Sequence, residues 1–248
     1  MKLCVALSIS AGDVVAFAGA GGKSGAILAL VRELGQEGLT TLIVPTTKMF
    51  LEEAEEVGPL ATSEDVEELT GLVRKAFSET DAIVAGKGLL SKKRVDGVER
   101  AWVPQLAPLA DVTLIEADGS RRRPLKGTAP HEPALPEAAT LVVGVGNVEA
   151  FGKPLDEQYV HRPEVLTELT GLGAGQSITA KVFAQALALG TLGKVPNEAR
   201  RSILLTGVEP GKKMADAAVI TRELWRLNVE NVVLTSLPSE LQPQVWLP

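Results

Sequence analysis

The chain has 248 residues, of which 45% are hydrophobic and 23% charged, so it can form one large domain or two small ones and is neither disordered nor fibrous. It carries 25 Lys and Arg against 31 Asp and Glu, a net charge of −6, and only 4% aromatic residues, which argues against a nucleic-acid-binding role. One cysteine excludes an internal disulfide, and no apolar run approaches the roughly 18–20 residues of a membrane span. We therefore expect a cytoplasmic protein with neither nucleic-acid nor membrane partners.

Short apolar strands and amphipathic helices alternate along the chain, which favours a mostly parallel sheet covered on both faces. In chain order, the predicted elements are strand Asp13–Ala18, helix Ala26–Glu37, strand Leu39–Val44, helix Glu64–Phe77 behind a Ser63 cap, strand Asp81–Ala85, a hairpin over Lys92–Trp102 that turns at Asp96-Gly97, strands Asp111–Ile115 and Thr140–Val145, helices Pro163–Leu172 and Thr179–Leu189, strand Arg201–Leu205, helix Met214–Leu227 and strand Asn231–Thr235. We predict a three-layer α/β fold, similar to a P-loop NTPase, in one domain over residues 1–248. Within this domain, the sequence pattern suggests one subdivision, a helical subregion at 161–198.

A glycine cluster follows the first predicted strand and precedes the first predicted helix, where α/β folds bind phosphate. The cluster consists of Gly19, Ala20, Gly21, Gly22, Lys23 and Ser24. Glycine adopts positive φ angles, so successive N–H groups can point at one anion, while the lysine contacts phosphates and the serine hydroxyl binds magnesium. The full Walker pattern has glycine six residues before the lysine, where Phe17 stands, so the match is to the shorter G-x-x-G-K-S form. The alternative is a tight turn with an exposed Lys23.

The same glycines could indicate dinucleotide binding. That pattern requires glycine or alanine at Ser24, and an acid at the end of the second strand to hold the ribose. The second strand ends in Val44-Pro45-Thr46-Thr47-Lys48 without a carboxylate. The phosphate-loop interpretation is therefore preferred.

Two acids end the apolar strand that precedes residue 116. Glu116 and Asp118 are two residues apart, so on an extended strand both side chains point the same way. In phosphate-loop enzymes a carboxylate at this point holds magnesium opposite the loop serine. We predict that Ser24, Glu116 and Asp118 form the metal site, with both carboxylates roughly 4–7 Å from the Ser24 hydroxyl.

Further polar residues follow these acids and the second strand. Arg121, in a run of cations that continues to Lys126, could clamp a second anionic group, while Thr46, Thr47 and Lys48 could meet a γ-phosphate. The histidines lie in His131-Glu132-Pro133 and His161-Arg162-Pro163, and a histidine can transfer protons near neutral pH. We predict that both imidazoles converge on the cleft that holds Lys23. For the arginine run, the alternative is a solvated loop. For Thr46–Lys48 it is a local turn, and for the two histidines it is a structural role.

Four segments together resemble the YqeC family, regarded as accessory proteins of selenium-dependent hydroxylases. They read VVAFAGAGGKSG, VPTTKM, LIEADGSRRRPLKGTAPHEPALP and GKPLDEQYVHRPE, and the resemblance extends from about residue 3 to residue 236. It implies a nucleotide-binding protein that helps to mature selenium-dependent molybdenum hydroxylases. The positions it implies as functional are Gly19–Ser24, Thr46–Lys48, Glu116, Asp118, Lys126, His131, Glu132, His161 and Arg162.

The sequence departs from the family pattern at two positions. Gly25 stands where the family usually has threonine, and Thr206-Gly207-Val208-Glu209 stands where an Asn-Lys-x-Asp-like element would read guanine. The base is therefore not assigned from sequence.

We expect a protein that binds ATP or GTP with Mg²⁺ and uses Lys23, Glu116, His131 and His161 in phosphoryl chemistry. Its partners would be the nucleoside triphosphate and a molybdenum hydroxylase or that enzyme's cofactor. A Mur-ligase-like ATP-dependent ligase or kinase with a small acceptor, and a non-catalytic nucleotide-switched scaffold, are the alternatives.

Overall fold

A computed structural model describes residues 1–91, 93–236 and 242–248 of the chain. The strands are β1 (Val14–Gly19), β2 (Thr41–Pro45), β3 (Met49–Phe50), β4 (Leu60–Thr62), β5 (Ala82–Gly86), β6 (Gly88–Ser91), β7 (Arg94–Asp96), β8 (Val112–Glu116), β9 (Leu125–Lys126), β10 (Leu141–Asn147), β11 (Val160–His161), β12 (Arg200–Thr206), β13 (Val232–Leu234) and β14 (Gln244–Trp246). The α-helices are α1 (Leu3–Ala6), α2 (Lys23–Gln36), α3 (Leu51–Val57), α4 (Val66–Ala76), α5 (Val103–Leu106), α6 (Pro163–Thr170), α7 (Ala180–Gln185) and α8 (Lys212–Arg226).

The main sheet has the strand order β14-β13-β12-β10-β1-β8-β2-β5-β4. Every pairing in it is parallel except that of β14, which lies antiparallel to β13. All six residues of β1 and all five of β8 are buried, as expected for strands covered on both faces. Two hydrophobic clusters, one on each face, form the core. The predicted three-layer α/β fold with a mostly parallel sheet is confirmed.

The strand register brings several chain segments to one edge of the sheet. Gly19 at the end of β1 pairs with Val145 on β10, and Glu116 at the end of β8 pairs with Pro45 at the end of β2. Because these strands are parallel, the loops that follow them leave from the same edge, where open α/β sheets bind ligands.

The predicted hairpin is present, but its turn does not lie at Asp96-Gly97. The strands of the hairpin are β6 and β7, and Asp96 pairs with Gly88 at the open end of the ladder. Gly97 packs on the backbone, where a Cβ would lie 2.6 Å from the Thr47 nitrogen. Residue 92, which the prediction included, lies outside the described residues.

Several helix boundaries also differ from the prediction, and at the starts of α2 and α4 the cap residue explains the difference. α2 begins at Lys23, three residues early, because Gly22 with φ 138° is its N-cap. The cap of α4 is Asp65, whose side chain accepts from the N–H groups of Glu67 and Glu68. Ser63, the predicted cap, instead donates to the Glu68 carboxylate at 2.6 Å.

Two small sheets flank the main one. β3, β7 and β6 form one of them, and the parallel pair β9–β11 forms the other. α7 continues through one π-helical stretch, Ala186–Thr191, and packs against α8. None of the helices in the described part of the chain has the length and apolar content needed to cross a bilayer.

Candidate functional site

The loop between β1 and α2 has a shape that only glycine allows at two positions. Gly19 has φ 100°, and a Cβ there would lie 2.3 Å from the Val145 carbonyl oxygen. Gly21 has φ 78°, and a Cβ there would lie 2.5 Å from the Cβ of Asn147. These glycines let the loop lie directly against the end of β10.

The loop leaves a row of backbone donors at the start of α2. Ala20 N–H donates to the Val145 carbonyl at 2.9 Å, whereas the first N–H groups of a helix have no acceptor within it. In the described structure, the N–H groups of Gly21 and Gly22 have no backbone acceptor either. The candidate phosphate cradle therefore consists of the amides of residues 21–24, with the positive end of the α2 dipole behind them.

Lys23 is held inside the loop. Its Nζ donates to the Gly19 carbonyl at 2.7 Å and lies 3.2 Å from Asp118 Oδ1, and the side chain is 4% exposed. Burial opposes its charge, but the carboxylates of Asp118 and Glu116 outweigh burial and raise the pKa of Lys23. The alternative of an exposed lysine on a simple turn is wrong, since the Lys23 ammonium is buried in contact with Gly19 and Asp118.

The Ser24 hydroxyl faces two carboxylates. It lies 3.4 Å from Glu116 Oε2 and 3.0 Å from Glu53 Oε2. Burial raises the pKa of Glu116 to about 7; the Lys23 charge opposes the rise, and the charges of Glu53 and Asp118 add to it. Glu116 therefore lies closer to the Ser24 hydroxyl than the predicted 4–7 Å, and Glu53 is a residue that the sequence analysis missed.

Asp118 contacts the loop at Gly19 and Lys23 rather than at Ser24. Its oxygens accept from the Gly19 N–H at 3.0 Å and from Lys126 Nζ at 2.9 Å, besides the Lys23 contact. Although burial opposes ionisation, Lys23 and Lys126 hold the pKa of Asp118 below its usual value. The carboxylate thus anchors two lysines and a loop amide. In this arrangement Glu116 is the better placed magnesium ligand.

Lys126 and Glu132 extend these contacts into a buried ionic network. Lys126 Nζ donates to Asp118, to the Gly119 carbonyl at 2.8 Å and to Glu132 Oε2 at 2.9 Å, so its three donors are all taken. Glu132 also accepts from Arg162, and Lys126 is the main charge that keeps the pKa of Glu132 low against the effect of burial. Lys126 and Arg162, which we expected to contact nucleotide, bind protein carboxylates here.

The two histidines differ in environment. His161 pairs with Lys126 across the β9–β11 ladder. Burial lowers the pKa of His161 to about 4, and the charges of Arg162 and Lys126 contribute, so it is neutral at pH 7. His131 is exposed, and within the described residues it has no hydrogen bond or ion pair.

The segment after β2 packs on the segments that follow β8, at the carboxyl ends of these two strands. The Thr46 hydroxyl donates to the Ala134 carbonyl at 2.8 Å, and the Thr46 N–H donates to the Glu116 carbonyl at 3.1 Å. The Thr47 hydroxyl oxygen is buried and finds no hydrogen-bond partner among the residues that the structure describes, and Lys48 is exposed. Thr46 therefore joins β2, β8 and the segment after Glu132.

The arginine run lies over the serine side of the loop. Arg121 and Arg122 both have positive φ and are exposed. Arg122 pairs with Glu52 and, at 3.4 Å, with Glu53, and its guanidinium lies 4.7 Å from the centre of the Phe50 ring. Arg122 thus contacts α3, a pairing that the sequence did not indicate.

The donor set at Ser24 fits Mg²⁺ bound together with a nucleotide. Within the described residues no group of three or more His, Cys, Asp or Glu side chains could hold a metal ion by itself. Mg²⁺ commonly takes one or two carboxylates and completes its shell with phosphate and water oxygens. One hydroxyl and the two carboxylates around it match that requirement.

A family model described as YqeC protein matches residues 15–164. The uncharacterized protein YqeC of Escherichia coli strain K12 is 31% identical to the chain over 166 residues. The alignment covers 64% of this chain and 61% of that protein, so the chain matches about six-tenths of its relative's length.

Among solved structures, chloroplast FtsY from Physcomitrella patens gives a TM-score of 0.40 at 14% identity, covering 91% of this chain and 60% of that chain. The signal recognition particle 54 kDa protein from Aeropyrum pernix K1, in complex with GDP, gives a TM-score of 0.42 at 12% identity. The match covers 94% of this chain and 43% of that chain.

Proposed function

This chain belongs to the YqeC family, and on that premise we propose that it binds a nucleoside triphosphate, ATP or GTP, with Mg²⁺ at the loop of residues 19–24. One observation carries the proposal. The acceptor-free amides that open α2 are flanked by the Lys23 ammonium and by the Ser24 hydroxyl, which faces Glu116. Oriented amides, a cation and a hydroxyl–carboxylate pair are the groups that a magnesium-bound triphosphate requires.

Each residue has a separate part in this function. The amides of residues 21–24 would hold the phosphate oxygens, and Lys23 would exchange its contact with the Gly19 carbonyl for the β- and γ-phosphates. Ser24 and Glu116 would hold Mg²⁺, which supplies charge stabilisation for phosphoryl transfer when bound. Asp118 keeps Lys23 beside the cradle from its buried position.

The Lys23→Ala variant tests this function. We expect isothermal titration calorimetry to detect ATP or GTP binding to the wild type in the presence of Mg²⁺, and at least a 100-fold loss of affinity in the variant, since Lys23 is the cation beside the cradle. Lys75→Ala, which removes an exposed lysine on α4, is the matched control and should bind normally. Wild-type affinity in Lys23→Ala would contradict the proposal.

For the chemistry, we propose that His161 accepts a proton from the attacking water or acceptor hydroxyl. Its position supports this role, because its ladder partner Lys126 binds Asp118, which in turn contacts Lys23. His131 is the less favoured base because it is exposed. His161→Ala should lose turnover and keep nucleotide affinity, and unchanged turnover would assign His161 to structure alone.

Family membership supports the finer proposal that the protein assists maturation of selenium-dependent molybdenum hydroxylases. In that role, turnover should be slow for the protein alone and faster with the client enzyme. A ligase or kinase would instead consume nucleotide in proportion to a small acceptor. A cavity of about 690 Å³ beside Thr46, with Val98 and Leu135 in its wall, is where such an acceptor would bind.

A further inference from the structure

Glu53 approaches the candidate metal site from an element outside the phosphate-loop pattern. It lies on α3, a helix of seven residues that starts directly after β3, and its carboxylate Oε2 is 3.0 Å from the Ser24 hydroxyl. Acids in the first turn of a helix are common because they interact favourably with the helix dipole, so the position of Glu53 on α3 is unremarkable by itself. Its distance to Ser24 distinguishes it from its neighbours.

One hydroxyl cannot satisfy the two carboxylates around it. Ser24 has a single O–H donor, yet both Glu53 and Glu116 lie within hydrogen-bonding distance of it. Within the described chain, Ser24 is the one hydrogen-bond donor that reaches the Glu116 carboxylate, and Glu116 is more than nine-tenths buried. Because a buried carboxylate without enough donors costs free energy, a cation bound between the two carboxylates would stabilise this arrangement.

The second oxygen of Glu53 is held from the opposite side. Oε1 faces the Arg122 guanidinium at 3.4 Å, while Oε2 faces Ser24. Arg122 also pairs with Glu52 and lies over the Phe50 ring, so it connects the loop after Asp118 to α3. The contact offsets part of the repulsion between Glu53 and Glu116 and leaves Oε2 directed at the serine.

Space for a ligand adjoins these oxygens. A cavity of about 390 Å³ is bounded by Ser24, Gly25, Glu53 and Arg122, with Leu28 and Val57 in its wall. Gly25 adds no side chain at this point of the cavity wall. The cavity therefore opens on the hydroxyl and on the face of α3 that carries Glu53.

We propose that Glu53 is a third protein ligand of the nucleotide-bound Mg²⁺, beside Ser24 and Glu116, so that α3 completes the metal site. The inference rests on the proposed function, because phosphate oxygens supply the remaining ligands. It makes the metal site of this chain more acidic than one built from a hydroxyl and a single carboxylate. Metal affinity should therefore depend on α3 as well as on the loop.

The test measures Mn²⁺ binding by electron paramagnetic resonance, with the full chain and the nucleoside triphosphate that it binds. We expect Glu53→Gln to weaken Mn²⁺ binding at least 10-fold, and to bind the metal-free nucleotide as tightly as the wild type or more tightly, because a negative charge beside the phosphates is gone. Glu55→Gln is the matched control: Glu55 is exposed on the same helix, and its removal should change Mn²⁺ binding less than twofold.

The outcomes separate this inference from the proposed function. Unchanged or tighter Mn²⁺ binding in Glu53→Gln, with nucleotide binding intact, would overturn the assignment of Glu53 alone. A wild type that binds no nucleotide would overturn both proposals. Circular dichroism of both variants excludes unfolding as a cause, and equal losses in Glu53→Gln and Glu55→Gln would mean a general charge effect and would also overturn the assignment.

Discussion

Asp118 illustrates how one buried carboxylate can hold several groups of a loop together. The fully buried carboxylate binds Lys23, Lys126 and the Gly19 N–H. Its charge compensates two buried ammonium groups, and the fold could not hold both lysines inside without it. We therefore regard Asp118 as the residue that keeps Lys23 beside the cradle.

Asp118→Asn should reduce the free energy of unfolding by about 3–5 kcal/mol, because it replaces the carboxylate shared by two buried lysines with a neutral amide. Urea denaturation measures the loss. The control is Glu37→Gln, which breaks the exposed pair between Lys2 and Glu37 and should change stability little. Equal effects of the two substitutions would show that the buried contacts of Asp118 contribute no more to stability than an exposed ion pair.

At the scale of elements, the glycines near the two ends of α2 differ in whether a side chain could replace them. Gly21, just before the helix, has positive φ, and a Cβ there would lie 2.5 Å from the Asn147 Cβ and 2.7 Å from the Pro124 carbonyl oxygen. Gly35, near the end of the helix, would meet nothing within 4 Å if it carried a Cβ. The first glycine is required by loop geometry, and the second only weakens a helix.

Gly21→Ala should destabilise the protein and abolish nucleotide binding, since a Cβ at 2.5 Å from the Asn147 Cβ displaces the loop. Gly35→Ala should stabilise the protein by about 0.5–1 kcal/mol through helix propensity and leave binding unchanged. Thermal denaturation and nucleotide titration of the two variants provide the comparison. Normal nucleotide binding by Gly21→Ala would refute the requirement for this loop shape.

The stability of the whole molecule should depend on pH through two groups with opposite shifts. Glu116 has a pKa raised from 4.5 to about 7, mainly by burial, and His161 has a pKa lowered from 6.5 to about 4, also mainly by burial. A raised carboxyl pKa means that stability is lost as pH rises from 4.5 to about 7. A lowered histidine pKa means that stability is lost as pH falls from 6.5 to about 4.

Glu116→Gln should therefore gain stability relative to the wild type as pH rises from 5 to 8, by an amount on the order of 3 kcal/mol. The measurement is urea denaturation of both proteins across this range, without metal or nucleotide. His161→Asn should instead gain on the wild type as pH falls below 6.5. Parallel profiles for all three proteins would contradict the assigned shifts.

Local patterns in the sequence predicted the main elements well. The apolar runs that became β1, β8 and β10 were recognised because strands buried on both faces leave an unbroken apolar signature. The hairpin turn failed because Asp96-Gly97 is a common turn signal, whereas here Gly97 allows close approach to Thr47. The helix α3 was missed because its sequence, LEEAEEV, looks like a charged surface.

The sequence by itself determined the alternation of strands and helices, the position of the glycine loop before α2 and the strand-end carboxylate Glu116, because each depends on residues adjacent in the chain. Tertiary structure alone decided that Asp118 binds two lysines, that Lys126 is buried and that Glu53 reaches Ser24. These contacts join residues on different elements, and Glu53 is 29 positions from Ser24. Their energies come from pairing charges that burial has removed from water, and which charges are buried together is settled only when the helices and loops pack on the sheet.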